Sequence, residues 1–126
     1  MKIKLEDALA LNGIYQMLKD KKMSFKTSYN LRQLNEATEK HAKFYSDEML
    51  KLLDDYAMRN PDGSFMYTAA GDSVQLQPEH VEECVNRVAE LTTIEVDVPD
   101  VQFAIADFEE LELTPAQVGA IMKFIV

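Results

Sequence analysis

Between Ser24 and Asn60 the chain reads SFKTSYNLRQLNEATEKHAKFYSDEMLKLLDDYAMRN, with no glycine or proline inside it. Leu31, Leu34, Thr38, His41, Tyr45, Met49, Leu52 and Tyr56 recur three or four residues apart, and Ala37, Phe44 and Leu53 widen the stripe. Residues so spaced share one face of an α-helix. The spacing predicts a single helix over about residues 27–58 with an apolar face about 100° wide. At about 1.5 Å per residue it would run ~45 Å. That is long for one small domain, so the helix must pack against a neighbour as a hairpin or meet a second chain. Glu36 before Lys40 and Asp47 before Lys51 supply acid-then-base pairs four apart on its surface.

On the N-terminal side, Ile3, Leu5, Ala8, Leu9, Leu11, Ile14, Tyr15 and Leu18 imply a short opening strand or extended arm. A helix over about residues 6–19 follows. Gly13 falls in the middle of that helix, where a close helix crossing would explain it. On the C-terminal side, Asn60-Pro61-Asp62-Gly63 is a turn: proline fixes φ and glycine permits φ > 0. Ser64–Tyr67 and Ser73–Gln77 then read as a hairpin around Ala70-Gly71-Asp72. Pro78 opens a helix over about 79–91 with Val81, Cys84, Val85, Val88 and Leu91 inward. Thr93–Val98 alternates as a half-buried strand, and Val101–Ile105 is a further strand candidate. Asp107–Leu113 fits neither period. Thr114-Pro115-Ala116-Gln117 is an N-cap with proline at the first helical position, leading a last helix over about 115–124.

The expected fold is α+β: an N-terminal helical hairpin with one long helix, then a small antiparallel β-sheet with two shorter helices. The 126 residues suit a single domain. Residues 1–60 would form the hairpin and 61–126 an acidic α+β part.

Charge divides the chain in the same place. Residues 1–60 hold eleven Lys/Arg and nine Asp/Glu, a net of +2; residues 61–126 hold two and thirteen, a net of −11. Between Arg87 and Lys123 there is no basic residue. Such a field repels nucleic acid and anionic membrane and favours basic partners. No run of about 18 apolar residues is present, so no membrane span is expected. The opening Lys2-Ile3-Lys4-Leu5-Glu6-Asp7 turns acidic at once, unlike a signal peptide. A lone cysteine, Cys84, excludes an internal disulfide framework and fits a reducing cytoplasm.

Catalytic chemistry finds few materials. His41 falls on the apolar stripe, as a packed histidine does. His80 and Cys84 stand four apart, with Glu79 and Glu83 beside them, but no second pair of ligands completes a zinc set. Gly71-Asp72-Ser73-Val74 is similar to the start of an esterase block, yet neither histidine follows a strand-to-helix elbow. The four glycines stand at 13, 63, 71 and 119 and form no phosphate cradle. The reading is therefore a non-enzyme without cofactor or metal. The aromatics, Phe25 and Tyr29 among them, are expected mostly on buried faces. Lys19, Lys21, Lys22 and Lys26 make the one basic cluster, suited to phosphates or to a partner's acidic patch, or simply solvated.

Several features recur together. Lys2-Ile3-Lys4-Leu5 opens the chain, and the long helix ends in Lys51-Leu52-Leu53-Asp54-Asp55-Tyr56 before the Asn-Pro-Asp-Gly turn. A helix ends in Ala89-Glu90-Leu91, the strand Ile94–Val98 follows, and Leu111-Glu112-Leu113-Thr114-Pro115 leads to the last helix. This order resembles a group of small tailed-phage and prophage proteins of unknown function. The resemblance implies a phage origin, with residence in the host cytoplasm or in the virion, and carries over no functional residues.

The functional expectation is an accessory protein working by protein–protein contact, in assembly or in the virion, with a partner that is basic or a second copy of the chain. Its surface would use Asp107, Glu109, Glu110, Glu112, Glu95, Asp97, Tyr45 and Tyr56. The alternative is an inhibitor of a bacterial defence system, by acidic mimicry of nucleic acid or by sequestering a small-molecule signal.

Overall fold

The opening strand and the two N-terminal helices form where their apolar spacing puts them. The computed structural model describes Met1–Val126. The chain runs β1 (Lys2–Lys4), α1 (Leu5–Leu18), α2 (Phe25–Tyr56), α3 (Val81–Thr92), β2 (Glu95–Asp97) and α4 (Pro115–Met122). Pro78–His80 and Ile105–Asp107 are single 3-10 turns. Four helices and a small two-stranded antiparallel sheet make an α+β fold with its longest helices first.

The chain gathers into two compact units. One joins Met1–Lys43 to Thr93–Val126; the other is Phe44–Thr92. The division falls within α2 and after α3, whereas composition changes at the Asn60–Gly63 turn. Strand pairing is the reason: β1 pairs with β2 in the register Lys2↔Asp97, Ile3↔Val96, Lys4↔Glu95. That ladder draws the C-terminal third onto the N-terminus, and Leu5 N donates to Ile94 O to continue it.

In the first unit, Ile3, Leu11, Ile14, Leu18, Leu31 and Leu34 join Val98, Phe103, Phe108, Ile121 and Phe124 in one buried cluster. Phe103 and Phe108 meet edge to face at 5.4 Å. α1 packs closely on α4, and a Cβ built on Gly13 would stand 3.3 Å from Gln117 Nε2. This is the close helix approach the glycine implied. α4 starts on the expected cap: the Thr114 hydroxyl accepts from Gln117 N, and Gln117 Oε1 accepts from Thr114 N. α2 is tied in by Asn12 Nδ2, which donates to Asn35 Oδ1 at 3.1 Å, and by His41 Nε2 at 2.9 Å from Asp97 O. The expected strand over Val101–Ile105 is reduced to one parallel bridge, Phe103 to Ile125.

In the second unit, Leu52, Tyr56, Ala57, Cys84 and Leu91 are buried. The expected hairpin closes at Tyr67↔Val74, but it forms no regular sheet. The segment after α2, expected as helix to residue 58, is instead extended and bridges both arms, at Ala57↔Leu76 and Arg59↔Phe65. The result is a closed ring of backbone bonds: Met58 N to Gln75 O at 2.8 Å, Gln75 N to Met66 O at 2.7 Å, and Met66 N to Met58 O at 2.9 Å. Three segments meeting this way leave no room for a flat ladder. Gly63, at φ 89°, completes the Asn60–Gly63 turn, where Asp62 Oδ1 accepts from Ser64 N and Oγ.

Candidate functional site

Folding rearranges the charge read from the sequence. The first unit holds ten Lys/Arg and twelve Asp/Glu, a net of −2; the second holds three and ten, a net of −7. The long acidic C-terminal run therefore lies with the lysine-rich N-terminus. Glu95 and Asp97 stand opposite Lys4 and Lys2 across the β1–β2 ladder, an arrangement of opposite charges that favours pairing. Lys21 Nζ lies 3.5 Å from Glu110 Oε2, Lys123 Nζ lies 2.6 Å from Asp7 Oδ2, and Asp107 Oδ2 accepts from Thr27 Oγ1 at 3.4 Å. Glu109 and Glu112 are exposed.

The two tyrosines of the expected surface lie in different settings. Tyr45 is half-buried on α2. Tyr56 is only 6% exposed, and its hydroxyl donates to Glu83 Oε1 at 2.9 Å. It is a core residue with a polar handle. Glu83 also faces His80, whose Nδ1 lies 3.4 Å from Oε2, and the Tyr56 and His80 rings are 6.0 Å apart. The Tyr56 hydroxyl, with Asp55 and Glu90 adding their charge, holds the Arg87 guanidinium above its usual value. Cys84 is buried; burial pushes its thiol up, and Arg87 only partly offsets this. His80 and Glu83 face each other while Cys84 is turned into the core, and no group of three His, Cys, Asp or Glu side chains converges on a metal position.

The surface that stands out is apolar. In the first unit an open groove of about 290 Å³ runs between α4 and the chain from Ile105 to Leu113. Ile105, Leu111 and Leu113 form one wall; Val118, Met122 and Ile125 form the other. Ile105, Val118 and Met122 are exposed although large and apolar. Glu109 is the one charged side chain in the lining. Along this wall Leu111 and Leu113 are half-buried while Glu110 and Glu112 alternate outward, so carboxylates follow the groove.

Beside it lies an aromatic corner at the start of α2. Phe25 is 97% exposed and Tyr29, one turn on, 63%. Most aromatics were expected on buried faces, but on the helical wheel these two fall roughly opposite the Leu31–Tyr56 stripe. Ser24 Oγ caps the helix by accepting from Thr27 N, which fixes Phe25 in the first turn. Lys22 and Lys26 lie on either side of Phe25 in sequence, and both are exposed. The Thr27–Asp107 and Lys21–Glu110 contacts join this corner to the groove wall.

The sequence reading missed the groove, although one signal was present. α4 reads PAQVGAIM, apolar on most of its circumference, so a single packing partner leaves apolar side chains uncovered. The second unit has its own hollow of about 400 Å³, lined by Met49, Leu53, Val74, Leu76, Val85 and Val88, with Ser73 and the Cys84 side chain among them. Its lining carries no charge and sets no requirement on an occupant.

No helix is long and apolar enough to cross a membrane. Comparison of the chain with protein-family models, with curated proteins and with solved structures returns no match.

Proposed function

We propose that this chain is a non-enzymatic accessory protein that acts by protein–protein contact, and that the α4 groove is its working surface. One observation carries the reading: an apolar groove left open between α4 and the Ile105–Leu113 segment, beside the unit's buried core. Covering the exposed apolar side chains that line it would lower free energy, which is what a docking partner does. Of the histidines, His41 is engaged by a backbone carbonyl, a packing role that supports the non-catalytic side. The resemblance to small tailed-phage proteins supports a role in a host cell or a virion.

Nucleic-acid mimicry draws less support. A mimic presents an unbroken series of free carboxylates, whereas Glu95, Asp97, Asp107 and Glu110 each face a lysine or a hydroxyl of the same unit.

The test is a random-peptide library selected on the intact protein. Groove-directed peptides should be competed by wild type and ignored by Val118→Asp, a change at an exposed position whose circular dichroism should match wild type. Peptides that bind Val118→Asp equally well would remove the groove from the function.

A further inference from the structure

The groove has an apolar floor and an anionic border, so it fits a projecting apolar side chain flanked by cations. The first unit itself carries such an element. Phe25 projects almost completely into solvent, Tyr29 stands one turn beyond it, and Lys22 and Lys26 bracket Phe25. We infer that two copies of this chain associate through their first units, with Phe25 and Tyr29 of each seated in the α4 groove of the other. Lys22 and Lys26 then meet Glu109 and Glu112 of the facing copy. The inference rests on the groove being a docking surface and adds what occupies it.

Three observations favour a second copy over an unrelated partner. The charges are complementary on surfaces of one and the same unit. That unit is nearly neutral, at −2, so like-charge repulsion between two first units is small. Corner and groove are also adjacent, joined through Thr27–Asp107 and Lys21–Glu110. A two-fold axis then makes the same contact twice and closes the assembly at two copies. Large aromatic side chains entering an apolar pocket are the usual energetic centre of such interfaces.

Sedimentation velocity on the full chain tests this with Phe25→Asp, which alters the corner, and Val118→Asp, which alters the groove. Both positions are exposed, so circular dichroism should match wild type. Wild type should dimerise at concentrations up to about 100 µM, a range that covers micromolar contacts. Each variant should weaken association about tenfold or more, and salt should weaken the wild-type dimer. A mixture of Phe25→Cys and Val118→Cys, oxidised together, should give a covalent dimer that neither gives alone. A wild-type chain that stays monomeric, variants that dimerise as well as wild type, or a mixture with no crossed disulfide would overturn the proposal. If groove-dependent peptides still bind a monomeric wild type, self-association falls and the docking groove stands. If they do not, both fall.

Discussion

His41 Nε2 lies 2.9 Å from the backbone carbonyl oxygen of Asp97, a bond from the middle of α2 to the end of β2. A carbonyl can only accept, so the imidazole donates, in either charge state. The bond fixes α2 against the strand whose partner is β1. His41→Ala should cost the first unit about 1 kcal/mol, the net worth of one such bond. Hydrogen exchange at Ile3 and Val96, whose residues pair across the ladder, would report it. His41→Gln, which keeps a donor, should recover part of the loss; equal loss in both variants would point to packing instead.

Gly13 and Gln117 should be coupled. Replacing a mid-helix glycine by alanine ordinarily gains about 1 kcal/mol. Here the new Cβ would stand 3.3 Å from Gln117 Nε2, and the capping box holds that side chain in place. Gly13→Ala should therefore yield less than the ordinary gain, and yield more of it in a Gln117→Ala background. Denaturant midpoints over the four-variant cycle measure the coupling. Strict additivity would show that Gln117 moves aside freely.

Asp62 should titrate below the usual carboxylate range. The Ser64 hydroxyl, then the Ser64 amide, donates to its carboxylate and favours the charged form. A carboxyl held down in the folded state stabilises fully above its unfolded value of about 3.9, and that contribution fades as pH falls through the depressed value. Carboxyl carbon shifts followed against pH should show this, and Ser64→Ala should return Asp62 toward the ordinary range. An unchanged midpoint in that variant would remove the serine as the cause.

Cys84 should resist alkylation. It is buried, and burial keeps its thiol protonated beyond the ordinary range, so thiolate is scarce near neutral pH. Reaction should then follow opening of the second unit, accelerating with denaturant to the rate of a free thiol. Modification at the free-thiol rate in native buffer would mean that the Leu52–Cys84–Leu91 core does not close.

The helices were legible because their evidence is local. The three-to-four spacing from Leu31 to Tyr56 and the Thr114–Gln117 cap each need only a few neighbouring residues. Tertiary pairing was not legible. Nothing near Lys2 or Lys4 announces Asp97 and Glu95 as partners, so an acidic half inferred from composition became a nearly neutral unit and a strongly acidic one. Met58, Met66 and Gln75 close their ring only when three segments meet, which left the 57–59 extension hidden behind a helical reading. The groove was missed because Leu111, Leu113, Val118 and Met122 are unremarkable apolar residues until the packing shows that nothing covers them. Phe25 and Tyr29 were recoverable: their position opposite the stripe was already in the spacing.

Methyl spectra of the Phe25→Asp chain, whose own aromatic corner cannot occupy a groove, test the docking role most directly. On addition of a library-selected peptide, the methyls of Ile105, Leu111, Val118 and Ile125 should shift while those of Val85 and Val88 in the second unit stay in place. Shifts confined to Val85 and Val88, or none at saturating peptide, would contradict the α4 groove as the working surface.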